Sequence, residues 1–121
     1  MASHNITLAD DDADALFLLN KLLIDLYPHS NISMFSNAED AFAHILDKGA
    51  DIVITDHGMG AMSGTELIKA LRQKRFQTPI IMMSGNPEVE EEALKAGATA
   101  FFAKSLSIKK LEAKIRELLG D

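Results

Sequence analysis

Cysteine is absent from this chain, which excludes disulfides, thiol catalysis and cysteine-ligated metal sites. Glycine and proline are sparse, seven and three among 121 residues, which excludes a collagen-like repeat. No apolar run approaches the ~18–20 residues that span a bilayer, so no membrane partner is expected. Residues 1–5 carry no basic stretch, and no signal peptide is expected. Basic residues are outnumbered, 12 Lys and Arg against 18 Asp and Glu, for a formal net charge of −6. Nucleic-acid affinity rests on neutralising phosphates with Lys and Arg, so no nucleic-acid partner is expected either. A cytoplasmic location follows as the default expectation. What is present is the balance of a globular protein, 47% apolar and 25% charged residues. The length suits one domain of ~100–150 residues. A single domain over residues 1–121, with no output domain, is therefore expected.

Short apolar runs alternate with amphipathic stretches of about a dozen residues. Ile6–Ala9 reads as a strand, followed by a helix with Ala15, Leu18, Leu19, Leu22 and Leu26 at helical spacing and Pro28 as its stop. Asp12 is an expected N-cap and Asp14 a solvated first-turn acid. Ile32–Phe35 is a second strand. Asn37 then caps a helix marked by Ala38, Ala41, Phe42, Ile45 and Leu46 and closed by Gly49. Asp51–Thr55 is a third strand ending at Asp56, followed by a Gly-rich loop from His57 to Gly64 and a helix through Leu67, Ile68 and Leu71. Lys69, Arg72, Lys74 and Arg75 gather near that helix's C-terminus, where the dipole favours cations. Pro79–Ser84 is a fourth strand, and Asn86-Pro87 opens a helix closed by Gly97. Thr99–Ala103 is a fifth strand, and Ser107 caps a last helix with Ile108, Leu111, Ile115, Leu118 and Leu119 on its apolar face.

Three of the strands are near-continuous apolar runs, the mark of strands buried on both faces of a parallel sheet. Five strand–helix pairs imply a doubly wound α/β sheet, whose chemistry lies at the C-terminal strand ends. Those ends are Asp10-Asp11-Asp12, Asp56, Ser84 and Lys104. Two carboxylates ~4 Å apart repel by about 4 kcal/mol at an effective dielectric near 20. Lys104 offsets part of such repulsion and a divalent cation offsets more. Hard oxygen ligands select Mg²⁺ or Mn²⁺.

The acidic pair Asp10-Asp11, Asp56 after Ile-Val-Ile-Thr, Met59 through Gly64 and Leu67 stand in a joint order. So do Pro79-Ile-Ile-Met-Met-Ser84-Gly85 and Lys95-Ala-Gly97-Ala98 through Phe101-Phe102-Ala103-Lys104. On these residues the chain resembles a response-regulator receiver domain over essentially its whole length. The resemblance implies a (βα)5 flavodoxin-like three-layer sandwich and a phosphoacceptor switch of a two-component or phosphorelay system. Asp56 would take a phosphoryl group from a histidine kinase, a histidine phosphotransfer protein or a small phosphodonor. Asp10, Asp11, Asp56 and the Gly58 carbonyl would hold Mg²⁺ or Mn²⁺, while Ser84 and Lys104 would contact the phosphoryl oxygens. Ser84 and Phe101 would form the switch, remodelling the face of helix four, strand five and helix five. The other reading of Phe101 is a plain core aromatic. Output would be by binding a downstream protein, from a monomer or weak dimer. The chain would catalyse only its own metal-dependent phosphorylation and dephosphorylation.

Two positions depart from the family pattern. Ser105 stands where a proline usually follows the lysine, which implies a trans bond and a reshaped loop. Gly60 stands where the loop after the phosphoacceptor usually has a proline, which implies a looser loop. In the family, side chains at the positions of Gly58 and Asn86 tune hydrolysis, and Gly58 has none. His57 reads as a solvated loop residue. Glu88, Glu90, Glu91 and Glu92 read as a solvated face, against an acidic output surface seeking a basic partner. Leu16 and Phe17 are either a docking patch for a helical partner or the margin of the core.

A second function class is a pseudo-receiver that binds partners without taking phosphate. A phosphohydrolase with its nucleophile after the first strand fits loosely, since Asp14 stands where that family uses Thr or Val. A flavin-binding sheet is disfavoured because three aspartates there would repel the flavin phosphate.

Overall fold

The computed structural model describes residues 3–104 and 107–120. The five expected pairs form, as β1 (Asn5–Ala9), α1 (Ala13–Leu26), β2 (Asn31–Phe35), α2 (Ala38–Lys48), β3 (Ile52–Asp56), α3 (Gly64–Gln73), β4 (Ile80–Ser84), α4 (Glu90–Ala96), β5 (Ala100–Ala103) and α5 (Ile108–Leu119). The strands make one parallel sheet in the order β2-β1-β3-β4-β5. The chain steps outward from β1 to β2 and then returns past β1 to β3, so the order reverses between β1 and β3. Ligands bind at such a reversal in open α/β sheets.

Side chains alternate across each strand and build two cores. Ala9, Val53, Ile80 and Met82 pack with Ala41, Ile45, Leu67, Ile68, Leu71 and Ala93 of α2, α3 and α4. Ile6, Leu8, Ile52, Ile54 and Ile81 pack with Leu23 of α1 and Leu111 and Ile115 of α5. The sheet is thus covered on both faces, which explains why its strands read as unbroken apolar runs.

Local chemistry sets the helix starts. The side chains of Asp12, Asn37 and Ser107 accept the backbone N–H of Asp14, Asp40 and Lys109. Asn86 caps a short 3₁₀ turn over Pro87–Val89, so the fourth helix begins later than Asn86-Pro87 implies, at Glu90. Asp51 lies just outside β3, where its carboxylate accepts the Asn5 N–H at 2.7 Å. Pro79 precedes β4, and its carbonyl accepts the Val53 N–H at 2.9 Å.

The expected stripe of α1 needs correction. Leu18 is 65% exposed, whereas Leu23 is fully buried. This helix is apolar nearly all round, so several stripes satisfy the helical period and only the sheet selects one. Leu46 and Ile108 are likewise exposed. The alternatives left open for Leu16 and Phe17 divide, since Leu16 packs on the α1/α5 core and Phe17 faces solvent. Arg72 does more than complement a helix dipole. Its guanidinium donates to the carbonyls of Phe76, Thr78 and Gly97 at 2.7–3.0 Å, tying the end of α3 to the start of β4 and the end of α4.

Candidate functional site

Parallel pairing brings the polar strand ends together in steps. Ala9 is level with Thr55, so Asp10 and Asp56 emerge side by side from β1 and β3. Asp56 is level with Met83 and Ser84 with Ala103, so Ser84 and Lys104 follow on β4 and after β5. By the two-residue alternation, Asp10 and Asp56 continue the α1/α5 face of Leu8 and Ile54.

Asp10 is buried, with 4% of its surface exposed. One of its carboxylate oxygens accepts the Asp12 N–H at 2.9 Å, and the other lies 3.1 Å from the Lys104 ammonium. Lys104 Nζ also stands 3.4 Å from Asp56 Oδ1. The ammonium therefore bridges the two carboxylates. Burial pushes the Asp56 carboxyl above its ordinary value, and the charge of Asp10 adds to this. The His57 N–H and Lys104 pull it down but do not prevail. Burial also opposes the charge on Lys104, yet the hydrogen bond and charges of Asp10 and then Asp56 hold its pKa above the ordinary lysine value.

Asp10, Asp11 and Asp56 each offer a carboxylate oxygen, all within 4.8 Å of one another. The set is wholly of hard oxygen, and Asp11 is exposed. Such a half-open carboxylate site suits an ion that keeps several waters, as Mg²⁺ does. One lysine leaves this cluster of three acids with an excess of negative charge, which a divalent ion would relieve. The residues present thus fit a hard divalent cation. Gly58 follows Asp56 by two residues in the exposed part of the loop.

Ser84 is buried, and its hydroxyl accepts the Asn86 N–H at 3.0 Å, which leaves the hydroxyl proton available for donation. Lys104 is anchored to the same strand end, its N–H donating to the Ser84 carbonyl at 2.9 Å. Phe101 is level with Met82, on the α2/α3/α4 face and one pleat below the Ser84–Ala103 pair. The expected consequence of Ser105 lies outside the described residues.

The loop after Asp56 is held at both ends. Met59 is buried, and the Gly64 N–H donates to the His57 carbonyl at 2.8 Å. Gly60 has φ +82°, a conformation closed to proline, whose ring holds φ near −65°. Gly64 is required for a different reason, since a Cβ there would collide with the Asp56 carbonyl oxygen.

Two residues at the rim make a contact that their expected solvation does not include. His57 is not simply solvated, because its Nε2 lies 3.1 Å from Glu92 Oε2. Glu92 lies on the exposed acidic face as expected, with 54% of its side chain accessible, and the same oxygen also accepts the hydroxyl of buried Thr65 at 2.7 Å. The Thr65 bond first, and the His57 bond with it, hold the Glu92 carboxyl below its ordinary value. Sequence spacing offers no signal for this trio, whose members lie 27 and 35 positions apart.

A family model described as the response regulator receiver domain matches residues 6–116. The chain is 30% identical over 118 residues to the transcriptional regulatory protein ZraR of Salmonella typhimurium, covering 96% of this chain and 26% of that protein. It is 31% identical over 114 residues to the heme response regulator HssR of Staphylococcus saprophyticus, covering 93% of this chain and 50% of the other. The chain thus spans between about a quarter and a half of the length of these relatives. Among solved structures, a Francisella response regulator receiver domain superposes with a TM-score of 0.87 at 24% identity, covering 97% of each chain. A DNA-binding response regulator of the LuxR family from Staphylococcus aureus superposes with a TM-score of 0.82 at 25% identity, covering 96% of this chain and 98% of that one.

Proposed function

We propose, because the chain belongs to the response regulator receiver domain family, that it is a phosphoacceptor switch in which Asp56 takes the phosphoryl group. The observation that carries this reading is the Lys104 ammonium set between the Asp10 and Asp56 carboxylates at adjoining strand ends. An Asp56 oxygen attacks phosphorus in line, forming a P–O bond. The bond from phosphorus to the donor breaks, and the electron pair leaves with a histidine of the partner or with a small donor's leaving group. Such transfer needs positioning and neutralisation of the equatorial oxygens rather than covalent help. Lys104 brings positive charge to those oxygens and the Ser84 hydroxyl donates to one of them. Asp10, Asp11, Asp56 and the Gly58 carbonyl would hold Mg²⁺, or Mn²⁺ in its place. A bound divalent ion supplies further neutralisation of the phosphoryl charge.

In the phosphoryl-bound arrangement the Ser84 side chain would rotate toward Asp56, carrying its hydroxyl away from the Asn86 N–H. Phe101 lies on the same face one pleat below, so it is placed to fill the space released. Two arrangements with different preference for the phosphoryl group are sufficient for a switch. The phosphodonor would be a histidine kinase or a histidine phosphotransfer protein, and output would pass to a downstream protein in the cytoplasm. Among the described residues no helix is long and apolar enough to cross a membrane.

The test is titration of the isotopically labelled chain with Mg²⁺ and then beryllofluoride, an acyl-phosphate mimic. Shifts at Asp56, Ser84 and Lys104 that spread to Phe101, and that vanish in Asp56→Asn, are expected. A folded protein that gives no response would defeat the reading in favour of a binding module.

A further inference from the structure

Glu92 differs from its neighbours in the acidic run of α4. Glu91 pairs with Lys95 one turn on, a solvent-facing ion pair. Glu92, whose side chain is 54% exposed, instead binds two other elements with one oxygen, Thr65 in the first turn of α3 and His57 in the loop after Asp56. Thr65 is only 4% exposed, so its hydroxyl has few other partners within reach. His57 directly follows Asp56 in the chain. Glu92 therefore links α4 to the first turn of α3 and to the residue that follows the phosphoacceptor.

This attachment matters because the N-terminal half of α4 has little else, Arg72 holding the Gly97 carbonyl at its far end. Of its seven described residues Ala93 alone is buried, and no side chain caps its start at Val89. The segment from Ser84 through Asn86 leads directly into the turn that carries α4, and Ser84 holds the Asn86 N–H. A turn of the Ser84 hydroxyl toward Asp56 releases Asn86 and so loosens the approach to α4.

We propose that Glu92 is a positioning residue that clasps α4 to the phosphoacceptor loop through Thr65 and His57 and so favours the resting arrangement of Ser84. The proposal rests on the phosphoacceptor reading of Asp56. A bond made in one arrangement and lost in the other biases the equilibrium by its differential strength. Opening the clasp then favours the phosphoryl-bound arrangement.

The experiment compares the full chain with Thr65→Val, Glu92→Ala, their double variant and Thr65→Ser. Hydrogen exchange of residues 90–96 is read without ligand, and beryllofluoride affinity is read with Mg²⁺ present. Thr65→Val and Glu92→Ala should each speed exchange in α4, leave α3 unchanged and tighten beryllofluoride about fivefold. The double variant should go no further than either single, since both break one network. Thr65→Ser keeps the donor and should behave as the parent. Faster exchange with unchanged or weaker beryllofluoride affinity would mark a merely structural contact and overturn the proposal. A folded parent that ignores beryllofluoride would defeat the phosphoacceptor reading and the clasp with it. A responding parent with indistinguishable variants would defeat the clasp alone.

Discussion

Helices α3 and α4 lie side by side on one face of the sheet and are held in opposite ways. α3 buries Gly64, Thr65, Leu67, Ile68 and Leu71 and starts with a full capping box, Ser63 and Glu66 each binding the other's backbone N–H. Its far end is secured by the Arg72 guanidinium on three carbonyls. α4 buries Ala93, begins without a side-chain cap and carries Glu90, Glu91 and Glu92 in its first turn. Extensive apolar burial fixes α3, whereas α4 buries Ala93 alone and relies more on polar bonds, those of Glu92 near its start and of Arg72 to the Gly97 carbonyl at its end. Packed cores shift in discrete steps, while weakly buried elements open at little free-energy cost. The helix following Asp56 is thus the more deeply packed of the two, and the helix following Ser84 the less.

The contrast can be broken most strongly at the cores of the two helices. Leu67→Ala should destabilise the fold by about 2–5 kcal/mol in urea titration, through the cavity it leaves. Leu94→Ala on α4, where 45% of the side chain is exposed, should stay within about 0.5 kcal/mol. Equal losses would show that α4 is as firmly packed as α3. Arg72→Ala should follow at about 2–3 kcal/mol, since it strips a charged donor from the carbonyls of Phe76, Thr78 and Gly97. Arg72→Lys should recover little, because a single ammonium cannot span that fork.

Asp56→Asn acts between the two helices and should have the opposite sign. The raised pKa of Asp56 means that the native state binds more protons than the unfolded chain between the ordinary value of 3.8 and the raised one. Metal-free stability therefore falls as pH climbs through that window. Asp56→Asn removes the effect, so it should be more stable than the parent by about 0.5–2 kcal/mol at neutral pH. That advantage should disappear below the window. Thermal melts of the metal-free protein across pH would check this, and a variant less stable at neutral pH would show that Lys104 gains more from Asp56 than burial costs. A modest loss is also expected of Ser63→Ala, which removes one side of the capping box and should cost about 1 kcal/mol by the same melts.

Much of the site was legible before the structure because its residues are strand ends. Asp10, Asp56, Ser84 and Lys104 each follow a short apolar run, and a parallel sheet carries such ends to one edge without further information. The caps at Asp12, Asn37 and Ser107 were legible for a similar reason, since each bonds a backbone N–H two or three residues ahead. Less was legible in α1, where leucines on every side conceal which stripe meets the sheet. Leu18 satisfied the period as well as Leu23 did, yet solvent took the first and the core the second.

The sequence by itself therefore determined the order of elements, the parallel sheet and the family to which the chain belongs. Those properties rest on local periodicity, local capping and the apolar character of short runs. Only the tertiary structure decided that Arg72 ties together three segments, that Lys104 stands between two carboxylates, and that Glu92 leaves its acidic neighbours for Thr65 and His57. These are bonds between residues distant along the chain, and a side chain's partner at that range is set by where the packed sheet brings the elements together.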